Sequence, residues 1–119
     1  MPAFQAYRLF AAQPQPEGRF VELDESALSP GDTLIRVAYA SINYKDALAA
    51  AGRPGLIREY PRVGGIDLAG TIVSSANASL APGTQVVVHG FGVGIDHDGG
   101  YAQFARVPAA WVLPIPAGL

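Results

Sequence analysis

Apolar and polar positions alternate along much of this chain, and the alternation changes period only once. AFQAYRLF, from Ala3 to Phe10, shows the period of two expected of a first half-buried strand, and RFVELD, Arg19 to Asp24, predicts a second. TLIRVAYASI, Thr33 to Ile42, is the longest β-branched and apolar run and predicts a central strand. IDLAGTIVSS (66–75), VVVHG (86–90) and YAQFARV (101–107) read as further strands, and WVLPIP (111–116) as a short final pairing. Between them, AAQPQPEG, Pro30-Gly31-Asp32 and LAPGTQ carry turn chemistry. The alanine-rich interval Tyr44 to Ala51 predicts the one short helix, and GRPGLIREYPRVGG (52–65) reads as loop with a single turn at Leu56–Glu59. Many short strands, tight turns and one helix predict a mainly β, antiparallel, barrel-like or sandwich domain. The order contains no βαβ alternation, so a parallel nucleotide-binding sheet does not fit within these residues.

Composition narrows the class. A length of 119 residues suits one domain with a real core, and 50% hydrophobic against 15% charged residues excludes disorder. A net charge of -2 without a basic stripe argues against nucleic-acid binding. No apolar run reaches the roughly 18 residues of a membrane span, and MPAFQAYRLF lacks the apolar stretch of a secretory signal. With no cysteine, disulfides and thiolate metal sites are excluded. The expectation is a cytoplasmic domain.

Candidate chemistry begins at ASINYKDALAA, Ala40 to Ala50. Asn43 is placed to cap a helix, Asp46 stands where a capping box puts its acid, and Gly52 supplies a stop. Capping leaves Tyr44 and Lys45 in the first turn unexplained. GFGVG (90–94) fails as a dinucleotide fingerprint because its third glycine falls one residue early, so it reads as a flexible hairpin or a lid beside a site. His89, His97, Asp96 and Asp98 suggest a metal, yet immediate neighbours in extended chain point apart; a solvated loop or a polar pocket wall is the simpler reading. Asp67 opens an otherwise apolar strand, where an unpaired acid is costly. It faces solvent at an edge, pairs with Arg62 or Lys45, or aims into a cleft.

SINYKDALAA, GGIDLAGTIV, GFGVGIDHDGGYAQFARV and WVLPIP, in this order and at these spacings, closely resemble the N-terminal, GroES-like catalytic domain of medium-chain dehydrogenases/reductases. Within that superfamily they look most like the quinone oxidoreductase and acryloyl-CoA reductase branch. The resemblance covers nearly the whole chain, and departs from the branch at Gly64, where proline is commoner, and at Asp98, where an aromatic is commoner. It implies a partly open GroES-like β-barrel over residues 1–119, belonging to an NADPH-dependent oxidoreductase. The small-molecule substrate would be an activated C=C compound, such as an acryloyl-CoA-like enone, or a quinone.

The same resemblance implies that NADPH is bound mainly by a following Rossmann domain, which has no counterpart in these residues. It further implies a homodimeric full-length protein and an inactive isolated piece. Zinc-dependent relatives carry a cysteine ligand where Asn43 stands and a His-Glu pair where Ile66 and Asp67 stand, which implies a zinc-free member. Carbonyl polarisation then falls to hydrogen-bond donors. The implied catalytic residues are Asn43, Lys45, Asp46 and Asp67, with Tyr44 as the cofactor contact and the helix start favouring a developing enolate. Tyr44 and Asp67 are expected to face one cleft, and the proton donor stays open between Tyr44, Lys45 and solvent. The alternative is a stand-alone GroES-like module used for binding or structure. A co-chaperonin role would need a more apolar mobile loop than one offering only Phe91, Val93 and Ile95.

Overall fold

The computed structural model describes residues 2–119. Eight strands follow the alternation closely: β1 (Phe4–Phe10), β2 (Glu17–Leu23), β3 (Thr33–Tyr39), β4 (Arg62–Val63), β5 (Asp67–Ser75), β6 (Gln85–His89), β7 (Phe104–Val107) and β8 (Leu113–Pro114). Among the described residues the single α-helix, α1 (Tyr44–Ala50), sits between β3 and β4, and two single 3-10 turns lie at Glu25–Ala27 and Ala109–Trp111. The named strands pair antiparallel throughout. They build a three-stranded sheet in the order β2-β1-β4 and a five-stranded sheet in the order β7-β3-β5-β6-β8. The two sheets do not close into a full barrel, as the resemblance implied for a partly open one. No helix among the described residues is long and apolar enough to cross a membrane.

Burial explains the strands. Leu68, Gly70 and Ile72 of β5 point inward with Val86 and Val88 of β6, and with Ile35, Ala105 and Val107 they fill the interior of the larger sheet. Phe4, Ala6, Leu23, Leu28 and Val63 form a second core against the smaller sheet. Under α1, Ala49 packs with Leu9, Ile57 and Ile95, which fixes the helix to both the first strand and the glycine-rich loop. A register irregularity between Val37 and Tyr39 interrupts the β3–β5 ladder, and such a shift bends a strand where it occurs. It re-aims the chain toward α1.

Two expectations are corrected. β7 starts at Phe104 rather than Tyr101, because residues 101–103 bond instead to the smaller sheet: the Tyr7 N–H donates to the Tyr101 carbonyl at 2.7 Å, and the Gln103 N–H to the Gln5 carbonyl at 3.0 Å. This segment therefore stitches the two sheets together. Leu56–Glu59 forms no helical turn, and the end of that loop contributes β4 through Arg62 and Val63.

The glycine-rich loop is exposed at Gly90 and Phe91 and packed into the domain from Val93 onward. Val93, Gly94 and Ile95 are buried, and a Cβ on Gly94 would sit 2.5 Å from the Gly65 carbonyl carbon, one on Gly99 2.0 Å from the Gly65 oxygen. Backbone is stacked on backbone there, closer than any side chain permits. At its outer end Phe91 adopts φ +55° and stacks on Trp111 with ring centres 5.3 Å apart.

Candidate active site

The chain leaves β3, passes Ala40–Ile42 and enters α1 with Asn43 as the N-cap. The capping box with Asp46 is formed as expected: the Asp46 carboxylate accepts the Asn43 backbone N–H at 2.9 Å. Asp46 does more than cap. Its second oxygen accepts the Ile66 N–H at 2.9 Å, tying the helix start to the segment that leads into β5. A capping acid alone would be exposed, whereas Asp46 is 8% exposed.

Asp67 completes a small network. One oxygen accepts the Ser41 N–H at 2.8 Å, and the other the Asn43 side-chain amide at 3.0 Å; the same amide reaches Asp46 at 3.2 Å. Asn43 is thus clamped between two carboxylates. The expected pairing of Asp67 with Arg62 or Lys45 is not made. Arg62 is 8% exposed and lies against Asp98, at 3.3 Å. Lys45 stands exposed on the outer side of the first turn.

Tyr101 is a neighbour that nothing local in the sequence marked. Its hydroxyl donates to the Ser41 carbonyl at 2.8 Å, while the Ser41 N–H serves Asp67, so one short peptide segment is held from both ends. Burial pushes the Tyr101 phenol well above the ordinary tyrosine range, and the negative charges of Asp46 and Asp67 push it further. The local field is negative. α1 is seven residues long, and the fixed charges nearest its start are carboxylates.

Two clefts flank the network. One, of about 450 Å³, has walls of Tyr7, Phe20, Ile42, Ala47, Ala50 and Tyr101 with Asp46 at its base. The other, of about 470 Å³, lies on the outer face of the larger sheet beside Ser41, Asp67 and His89. His89 is the register partner of Asp67 across β5 and β6, which puts the two side chains on one face. Tyr44 is 79% exposed and lines neither cleft, so the structure brings Asn43, Asp46 and Asp67 together and leaves Tyr44 and Lys45 outside their hydrogen bonds. Among the described residues no three His, Cys, Asp or Glu side chains group as a metal site.

Residues 29–117 match the alcohol dehydrogenase GroES-like domain. The chain belongs to that family. It is 45% identical over 97 residues to the probable acrylyl-CoA reductase AcuI of Escherichia coli, covering 82% of this chain and 30% of that protein. Identity to the putative quinone oxidoreductase YhfP of Bacillus subtilis is 45% over 86 residues, or 72% of this chain and 26% of YhfP. The solved structure of E. coli YhdH with bound NADPH superposes with a TM-score of 0.92 at 41% identity, over 97% of this chain and 36% of that one. The chain therefore spans about a third of the length of these GroES-like-domain relatives or less.

Proposed function

We propose that this chain is the substrate-side, catalytic domain of an NADPH-dependent, zinc-independent reductase acting on an activated C=C bond, as in an acryloyl-CoA-like enone, or on a quinone. One observation carries the reading: Asn43 is held by two carboxylates at the entrance to α1, between two clefts, in a chain this similar to AcuI and YhfP. Asp46 is buried and Asp67 half-buried, and carboxylates withdrawn from water without a cation are costly. A fold maintains such a pair for a positioned group, here the Asn43 amide.

In this reading NADPH, when bound, supplies the hydride, and a second, nucleotide-binding domain holds most of it. Tyr44, 79% exposed on the first turn, offers aromatic surface as a neighbour for a nicotinamide. Asp46 and Asp67 fix the orientation of Asn43, and both carboxylates are already spent on N–H donors rather than open to a metal. Asn43 and Ile66 offer neither thiolate nor imidazole, which supports zinc independence. Lys45, exposed beside the site, and Tyr44 remain the groups able to hand over a proton. The whole enzyme is read as a cytoplasmic homodimer.

The test is NADPH oxidation by the full-length polypeptide containing this chain, with acryloyl-CoA and with a simple quinone, in the presence of a chelator. Turnover of either substrate that the chelator leaves unchanged is expected. A folded enzyme that turns over neither, or that loses activity to the chelator, overturns the reading.

A further inference from the structure

The cleft against α1 has an unusual lining. Phe20 on β2 is 80% exposed and Ile42, just before the helix, 88% exposed, yet both belong to one concave surface with Tyr7, Ala47, Ala50 and Tyr101. Tyr7 meets Phe20 edge-on at 5.2 Å and Tyr101 edge-on at 6.4 Å, so one wall carries three aromatic rings set at angles to one another. At about 450 Å³ the space falls within the range of small-molecule sites and is far larger than the short acrylyl group would fill.

Of its polar side chains, Asp46 and Tyr101 are engaged elsewhere, and the Tyr7 hydroxyl alone makes no hydrogen bond among the described residues. Asp46, the one charged residue in the lining, gives both oxygens to the N–H groups of Asn43 and Ile66. The Tyr101 hydroxyl is committed to the Ser41 carbonyl. An extended arm bearing amides, such as the pantetheine of a coenzyme A thioester, would lose water there and gain few hydrogen bonds in return. A flat conjugated ring loses little water and meets aromatic edges on one side and methyl-bearing helix surface on the other. The cleft is also continuous with the candidate site, because Asp46 and Ile42 adjoin Asn43 directly.

We infer that this cleft seats a flat, uncharged, conjugated carbonyl ring, a quinone or an aryl enone, and that such rings rather than coenzyme A thioesters are the substrate class. This rests on the reductase reading for its chemistry, but its test needs no hydride transfer. The 119-residue chain, labelled with ¹⁵N, is titrated with 1,4-naphthoquinone and separately with propionyl-pantetheine, a saturated stand-in for an acrylyl thioester. Expected are saturable amide shifts confined to residues around Tyr7, Phe20, Ala47 and Ala50, with naphthoquinone binding at least about tenfold tighter than the thioester. Ala47→Phe, at an exposed helix position, should fill the cleft and weaken naphthoquinone about tenfold, and Phe20→Ala, at an exposed strand position, should weaken it as well. Equal or tighter thioester binding, shifts scattered over the surface, no saturable shift, or unchanged affinity in the variants that keep a dispersed spectrum would each overturn the inference. Thioester preference would end it while leaving the reductase reading intact. Naphthoquinone binding without any NADPH oxidation by the full-length enzyme would end the reductase reading instead.

Discussion

Two acidic centres in this molecule are built on opposite principles. Asp98 meets a cation: Arg62 lies 3.3 Å away, and the Val63 and Ser29 N–H groups donate to the same carboxylate at 2.9 and 3.0 Å. Asp46 and Asp67 meet only N–H donors and each other's field. The first arrangement neutralises a buried charge and clamps the glycine-rich loop to β4. The second leaves net negative charge in place, which adds to burial in raising the nearby Tyr101 phenol. At Asp98 the charge is cancelled inside the fold; at Asp46 and Asp67 it is left standing beside the clefts.

That contrast breaks most visibly at Asp98. Asp98→Ala strands the Arg62 guanidinium in a buried site, and the expected loss is about 3–5 kcal/mol of stability in urea unfolding. A loss under about 1 kcal/mol would mean that Arg62 escapes to water and the clamp is ornamental. Asp46→Ala should cost about 1–3 kcal/mol, since the N–H groups of Asn43 and Ile66 lose their acceptor. Circular dichroism should show α1 frayed in that variant.

Asp67→Asn sharpens the comparison by separating stability from activity. The chain should lose no more than about 1 kcal/mol. The full-length enzyme should lose about tenfold in kcat, equivalent to roughly 1.4 kcal/mol of transition-state stabilisation. Unchanged kinetics would demote Asp67 to a surface acid.

The smallest effect lies at high pH. The folded Tyr101 phenol titrates above its unfolded value of about 10, so its contribution to stability is fully present below that pH and lost as pH rises further. Alkaline denaturation monitored by tyrosinate absorbance should be steeper for the native chain than for Tyr101→Phe. Identical profiles would remove Tyr101 from the negative field.

Local features were legible in sequence and distant ones were not. Period-two alternation located β5 and β6, because one face of each is buried against a single core. The Asn43–Asp46 spacing announced a capping box, which is a contact between residues three apart. Asp98 with Arg62 joins residues 36 apart, and only the unusual acid at position 98 hinted at it. Tyr101 looked like the opening of a strand; its bond to Ser41 spans 60 residues and has no local signature. Of the candidate site, Asn43, Asp46 and Asp67 come together, whereas the exposed positions of Tyr44 and Lys45 depend on which side of α1 meets the sheets.

The stacked backbone of the glycine-rich loop has a consequence for how this chain can vary. Gly55, Gly83, Gly90 and Gly118 have open space around a would-be Cβ, so a side chain there meets only the strain of a positive φ, about 1 kcal/mol. Gly65, Gly94 and Gly99 have carbonyl or amide atoms at 2.0–2.9 Å instead, and no rotamer can relieve a collision with Cβ itself. In a saturation library selected for folding, the first group should tolerate a spread of codons while the second stays monomorphic. Adaptive change around the site is thereby channelled away from the loop floor and into the walls of the clefts.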